Sequence, residues 1–352
     1  LCGIIHTQGN ARQQGEVRQL SFRFILALVD VTEMSALKVL TEPMKKAIAR
    51  SGYLMEQRLV PVIERFGFKA TPNERFRDPE TGELRELDIS AISAERIGQH
   101  GYDFIFPLLL IACKNLTCPL VFFAQQELRL QWFLGKLQIS GLPLEIVRNG
   151  RFPKPITEFL KLEGFHHYYR TGHVASQFCA VYEDERESKK AKSPVFQTGH
   201  TIGGRISLFN DFDALAKAVL SNKREHGHSF RLDRRGEKVN LQVYYPIFVT
   251  SGPLVECYVG GHRPRYRRVH RIGFLLRTHL SAKQREFRID VVDEQGLRRL
   301  LSTINKETAK IAQRFRKQRK VTNDSLDWIT QRLSRRKRDY QLSYVSGEEE
   351  SR

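Results

Sequence analysis

Three side chains, far apart in the sequence, have the types and settings that phosphate chemistry needs. Glu56 lies in GYLMEQRLVPVIERFGF, three residues before Leu59 and seven before Ile63, on the apolar stripe of a helix. A lone carboxylate on that face is costly unless something pairs with it. Asp88 follows a tight turn in RDPETGELRELDI, and Lys114 ends the apolar run of LLLIACKN. Carboxylates are the hard oxygen ligands that Mg²⁺ takes, and a cation so held neutralises a phosphate and activates a water at neutral pH. A nearby lysine orients that water and offsets charge developing on the phosphate. These residue types suit metal-assisted phosphodiester hydrolysis. Asp88 also has a plainer reading, as the partner of Arg85 or Arg77 at the hairpin; Glu86, on the same strand face, reads as a solvated edge.

The elements that must position these groups follow from periodicity and turn chemistry. Ser35 to Arg50 predicts a helix closed by Ser51-Gly52, and Tyr53 to Phe66 a second one, with the stripe Leu59, Val62, Ile63, Phe66, stopping at Gly67. Phe68 to Arg77 and Leu84 to Ile92 form a hairpin around Asp78-Pro79 and Thr81-Gly82. In its return strand Leu84, Glu86, Asp88 and Ser90 alternate with Arg85, Leu87, Ile89 and Ala91. Phe104 to Cys113 is apolar enough for a central strand buried on both sides, and Lys114 shares a face with residue 112. Further on, the sequence predicts a helical region over Ala124 to Lys136, a strand over His173 to Tyr182 and an amphipathic helix over Asp211 to Lys223. Between the last two, EDERESKKAKS reads as a surface excursion and the clearest internal boundary. A β-rich block (LQVYYPIFVT, LVECYVGG, IGFLLRTHL, EFRIDVV), a helix over Glu294 to Lys320 and a charged tail complete the chain.

The order helix glutamate, hairpin, strand aspartate, buried strand ending in x-x-Lys resembles the PD-(D/E)xK nuclease superfamily, over about Gly52 to Asn115. The YYPIFVTSGPLVEC and FRIDVV segments resemble, less closely, uncharacterised bacterial members. The resemblance implies an α/β fold with a restriction endonuclease-like core, a central mixed sheet flanked by helices, plus C-terminal strands and a terminal helix. The layout expected is an extension over 1–33, a nuclease-like core over 34–185, an α+β region packed on it over 186–320, and a tail over 321–352. A chain starting at Met34 is expected to be as stable as the whole.

The same resemblance implies Glu56, Asp88 and Lys114 as catalytic residues, with Mg²⁺ or Mn²⁺ held by Asp88, Glu56 and the backbone carbonyl of Cys113. The chain departs from the pattern at Ala112, which stands where an acid is expected. Three readings stay open: a natural inactive relative that keeps DNA binding, an engineered inactive variant, or an oxygen supplied by Glu56 or by Glu127. The function implied is metal-dependent hydrolysis of DNA, weakened or lost through Ala112. A non-catalytic nucleic-acid-binding protein and a protein-interaction scaffold are the alternatives.

Charge points the same way. The 58 Lys and Arg against 39 Asp and Glu leave +19, which favours polyanionic partners; an anionic membrane surface is the competing reading. In HRPRYRRVHR, Arg263, Arg265, Arg267, Arg268 and Arg271 surround Tyr266 and suit contact with a phosphate backbone; RFRKQRK suits it less. Five scattered cysteines without a CxxC pair argue against a zinc ribbon or a disulfide framework and for a reducing compartment, the cytoplasm. No apolar run approaches the roughly 20 residues that span a bilayer. His166, His167, His173 and His200 match no zinc spacing and read as surface or satisfied histidines. TGHTIGGR lacks the P-loop pattern, no GxSxG elbow occurs, and Cys113 reads as a strand-end thiol rather than a nucleophile.

Overall fold

The computed structural model describes residues 40–97, 103–126, 137–141, 145–146, 154–170, 172–199, 201–202, 206–226, 240–258, 260 and 263–317. Two units divide at Ser51/Gly52. The first holds helix α1 (Glu42–Arg50), which starts at Glu42 because Thr41 caps it and Pro43 fits only its first turn. Residues 35–39 of the helix expected there lie outside the described residues.

The second unit begins with α2 (Tyr53–Glu64), then β1 (Lys69–Arg77), β2 (Leu84–Ile92), β3 (Glu95–Arg96), β4 (Phe104–Lys114) and β5 (Leu120–Gln126). Short pieces follow: β6 (Gln138–Ser140), β7 (Glu145–Ile146), β8 (Lys154–Pro155) and α3 (Ile156–Phe159). Next come β9 (His173–Glu183), α4 (Glu185–Ala191), β10 (Phe196–Gly199), β11 (Thr201–Ile202), β12 (Ile206–Ser207) and α5 (Leu208–His226). The chain then runs through β13 (Asn240–Thr250), β14 (Leu254–Tyr258), β15 (Arg265–Val269), β16 (Arg271–Leu280), β17 (Lys283–Val292) and α6 (Glu294–Lys317).

Among the described residues one mixed sheet runs in the order β1-β2-β4-β13-β17-β16-β9-β5-β14-β15, with β3, β6 and β10 attached at its sides. The α/β arrangement with a central sheet, flanking helices and a terminal helix is therefore present. Strands from before and after residue 185 alternate in this sheet. β4, β13 and β17 are parallel, and β13 is buried on both faces, as a central parallel strand must be. Helices α2 and α6 cover one face, where Met55, Leu59, Ile63, Leu297, Ile304 and Phe315 share a core with Leu109, Ile111, Val249 and Tyr245 of the sheet. Helix α5 covers the other with Leu208, Phe212, Leu215 and Val219 against Leu110, Ala112 and Phe248. Each fully buried large apolar side chain stabilises by about 1.5–3 kcal/mol.

One local expectation is corrected. Ala124–Gln126 are strand, not helix, because β5 is held between β9 and β14; residues 127–136, with Glu127, lie outside the described set. The EDERESKKAKS stretch forms α4, an exposed link between β9 and its hairpin partner β10.

Candidate functional site

Asp88 sits where β2 parts from β4. Their ladder stops at Ile89↔Ile111, and the next step would set Asp88 opposite Ala112. The β1–β2 register also skips at this level, where Asn73 adopts φ +53°, a left-handed conformation that asparagine tolerates. The strand turns over here: Leu87 packs with Phe76 in the α5-side core, whereas Ile89 and Ala91 pack on the α2 side. Freed from the ladder, Asp88 Oδ2 accepts the Cys113 amide at 2.5 Å, satisfying a donor that β2 no longer serves.

The hairpin that delivers Asp88 is clamped at its tip. Asp78, fully buried, accepts the Glu80 amide at 2.8 Å and pairs with Arg85 at 2.5 Å and Lys217 of α5 at 3.4 Å. Burial opposes its ionisation, but the Glu80 and Thr81 amides, Lys217 and Arg85 outweigh it and lower its pKa. Arg85 is thus spent on Asp78, and Arg77 donates to the Gly82 carbonyl at 2.8 Å. The plainer pairing of Asp88 with either arginine does not occur.

Glu56 comes from the first turn of α2. It is 6% exposed, and its carboxylate has no hydrogen bond or ion pair among the described residues. Burial raises its pKa, as do the charges of Asp88 and Glu86, while Lys114 lowers it. Gly52 makes room: a Cβ there would lie 3.2 Å from Glu56 Oε1 and 3.9 Å from the Cys113 carbonyl oxygen. Glu56, Asp88, Lys114 and the Cys113 carbonyl therefore meet at one corner, at the C-terminal end of β4.

Sequence reasoning missed a fourth participant, Asp211 in the first turn of α5. Its Oδ1 lies 3.1 Å from Lys114 Nζ, and its Oδ2 is buried with no hydrogen-bond partner. Burial raises the Asp211 pKa, as does Asp88, against the opposing charge of Lys114. Asp88 is likewise raised, by burial first and Glu86 in addition, despite the Cys113 amide and Lys114. Lys114 is raised, because Asp211 and Asp88 overcome the effect of burial. Ala112, 7% exposed, packs a methyl group in the α5-side core and offers no oxygen. Three strained carboxylates thus surround one ammonium, an excess of negative charge that a divalent cation would relieve. Asp211 Oδ2 and the Glu56 carboxylate are oxygen donors left over for such an ion, but the carboxylates of Glu56, Asp88 and Asp211 do not lie within 4.8 Å of one another as a set, so a cation that used all three would have to draw them together.

The histidines form a separate cluster. Among the described residues, His166, His167 and Glu307 are the set of His, Cys, Asp and Glu ligand atoms within 4.8 Å of one another that could hold a metal. All three are buried, and the two histidines are of the satisfied kind rather than the surface kind. Glu307 accepts the His167 amide at 2.6 Å and lies 2.7 Å from its Nδ1; Asp290 lies 3.2 Å from its Nε2. Arg271 completes the network at 2.8 Å from Asp290. His166 accepts the Tyr168 amide at 3.2 Å and faces the Tyr245 hydroxyl at 3.3 Å. Every ring nitrogen already has a partner, so the cluster is read as a cross-brace between α6, β17 and the His166–Tyr168 segment. His173 is engaged too, with Glu256; His200 lies outside the described residues.

Of the arginines singled out above, Arg263, Arg265, Arg267 and Arg268 are exposed. Arg267 pairs with Glu256 at 2.5 Å and Arg271 with Asp290, which leaves Arg263, Arg265 and Arg268 without an ion-pair partner among the described residues. In the other basic run, Arg314 is structural, stacking 4.4 Å over Phe165 and donating to the Leu160 carbonyl at 2.5 Å. Cys113 is a buried thiol whose pKa burial pushes well up, which fits no nucleophile. No helix among the described residues is long and apolar enough to cross a membrane. Comparison with protein-family models, with curated proteins and with solved structures finds no match.

Proposed function

We propose that the protein is a metal-dependent phosphodiesterase acting on DNA, in the manner the PD-(D/E)xK resemblance implies, with Asp211 in place of the acid missing at Ala112. The observation that carries this reading is the corner where Glu56, Asp88 and Asp211 crowd Lys114. Mg²⁺ or Mn²⁺ held there would neutralise the scissile phosphate and supply a nucleophilic water. Asp88 and Asp211 are its proposed ligands, one from β2 and one from α5, with the Cys113 carbonyl beside them. Glu56 is the accessory acid. Lys114, fixed by Asp211, aims its ammonium at the same corner, where it stabilises charge on the phosphate. The excess of basic residues over acidic ones draws a polyanion to the surface.

A second reading has its own support: Lys114 is already tied to Asp211 at 3.1 Å, as in a closed site of a non-catalytic nucleic-acid-binding protein. A plasmid-cleavage assay with Mg²⁺ and with Mn²⁺ separates them. Metal-dependent nicking that disappears in Asp88→Ala and in Asp211→Asn supports hydrolysis. DNA binding without cleavage, and without any metal uptake, selects the second reading.

A further inference from the structure

A pocket of about 370 Å³ opens where β15 passes into β16, lined by Arg267, Arg268, Arg271 and Arg299 together with His270 and Thr303. Its floor depends on Gly296. That residue presses the first turn of α6 so close to β16 that a Cβ would fall 1.7 Å from the His270 carbonyl oxygen. Gly296, Arg299 and Thr303 share one stripe of the helix, so Arg299 rises from the same wall.

The charge balance inside is uneven. Arg267 and Arg271 are neutralised by Glu256 and Asp290. The acids at the start of α6 are also engaged, Asp293 with His270 at 2.7 Å and Glu294 with Arg58 at 3.1 Å. Arg268 and Arg299 are exposed and have no ion-pair partner among the described residues. Two free guanidiniums converge on a concave site, a geometry that matches the oxygens of a phosphate.

The position of the pocket says whose phosphate. Cys113 is level with Val249, Val249 with Val292, and Val292 with Arg271 across the sheet. The pocket therefore lies at the same end of the sheet as Lys114, three strand spacings or about 14 Å from Cys113. That is about four base steps along a DNA strand at about 3.4 Å each. Glu56 and Arg58, two residues apart in α2, point to different partners: Glu56 to the Asp88 corner and Arg58 to Glu294 beside the pocket's helix.

We infer that this pocket holds a backbone phosphate of a nucleic-acid strand and fixes that strand's register over the Asp88 corner. The inference rests on the proposed function for the register, but not for the phosphate itself. Substituting Arg268→Ala with Arg299→Ala removes the two free charges, and Lys69→Ala, exposed on β1 and outside the pocket, is the control.

Binding of a fluorescent duplex is measured by anisotropy over a salt series without divalent metal, and cleavage is mapped on the same duplex with Mn²⁺. The double variant should lose at least tenfold in affinity, lower the salt slope by about one and blur or shift the cleavage position. The Lys69→Ala control should keep the affinity, the slope and the cut position. Unchanged affinity, slope and cut position in the double variant overturn the pocket while metal-dependent cleavage by the parent leaves the proposed function standing. A parent that binds but does not cleave, with binding lost in the double variant, overturns hydrolysis and keeps the pocket. Inorganic phosphate that saturates the parent at millimolar concentration, through Arg268 and Arg299, without displacing the duplex would make this a free-phosphate site and overturn the strand assignment.

Discussion

Asp211 holds the Lys114 ammonium with one oxygen, 3.1 Å away, and buries the other with no hydrogen-bond partner among the described residues. A buried acceptor left unsatisfied costs about 1–3 kcal/mol, so the arrangement is hard to explain as structure alone. If that oxygen is a metal ligand, Asp211→Asn should weaken Mn²⁺ binding at least tenfold while the fold persists. Isothermal titration of the two proteins decides it; identical isotherms would remove Asp211 from the site.

The pH dependence of stability has a definite sign here. Burial and neighbouring acids raise the pKa of Glu56, Asp88 and Asp211 in the folded chain. An acid raised on folding stabilises fully below its unfolded pKa, about 4, and that contribution is lost as pH rises through the folded value. In the metal-free protein, Glu56→Gln should therefore raise the melting temperature near neutral pH, with the gain vanishing towards pH 4. Added Mn²⁺ should narrow the gap by stabilising the parent more. A variant less stable than the parent at every pH would contradict this account of Glu56.

Asp290 carries the opposite sign. Burial opposes its ionisation, but Arg271 and His167 overcome it and hold its carboxyl well below the usual carboxylate range. Its contribution is present above the unfolded pKa and is lost as pH falls towards the folded one. Asp290→Asn leaves Arg271 without its buried counter-charge, while His167 keeps Glu307, and should cost about 3–5 kcal/mol near pH 7, less in acid. Chemical denaturation at two pH values measures it, and a loss that does not shrink in acid rules out the ionic origin.

Much of this corner was legible in the sequence because its parts are local. The stripe around Glu56, the Asp78-Pro79 turn and the strand Leu84 to Ile92 are set by spacing and turn chemistry within a few residues. Asp211 was not legible. It lies far along the chain, in a first helical turn where an acid already has a reason to be, and only the docking of α5 on β4 brings it to Lys114. The break in the β1–β2 and β2–β4 ladders was hidden for a related reason: strict alternation predicts one face for Leu87 and Ile89, yet they enter different cores. Ala124–Gln126 misled through propensity, since alanine and glutamine favour helices and pairing with β9 overrides them.

The hairpin clamp should matter for function as well as stability. Lys217 binds Asp78, Glu80 and Asp213 at 2.9–3.4 Å, tying the turn to α5. Lys217→Met leaves Asp78 with Arg85 as its ion-pair partner and the turn tied to α5 through Arg224, which donates to the Pro79 carbonyl at 2.9 Å. Faster amide exchange should then spread from Glu80–Glu83 down to Asp88, with weaker metal binding. Exchange confined to the turn, with the metal affinity intact, would show that Asp88 is held by Cys113 alone.

Ala112→Glu tests the geometry of the corner most directly. Position 112 lies where the register would face Asp88, and its methyl group packs beside α5. A glutamate there adds a fourth acid where burial already strains three. The metal-free variant should therefore lose about 1–3 kcal/mol of stability, from overpacking as well as charge. With Mn²⁺ the balance reverses, because an extra ligand tightens binding and the stabilisation grows with the ratio of metal to Kd. The Mn²⁺-induced rise in melting temperature should accordingly exceed that of the parent, and metal-dependent nicking of plasmid DNA should increase, while Asp88→Ala added to the variant abolishes both. A rise no larger than the parent's would mean that residue 112 does not look into the space shared by Asp88 and Asp211.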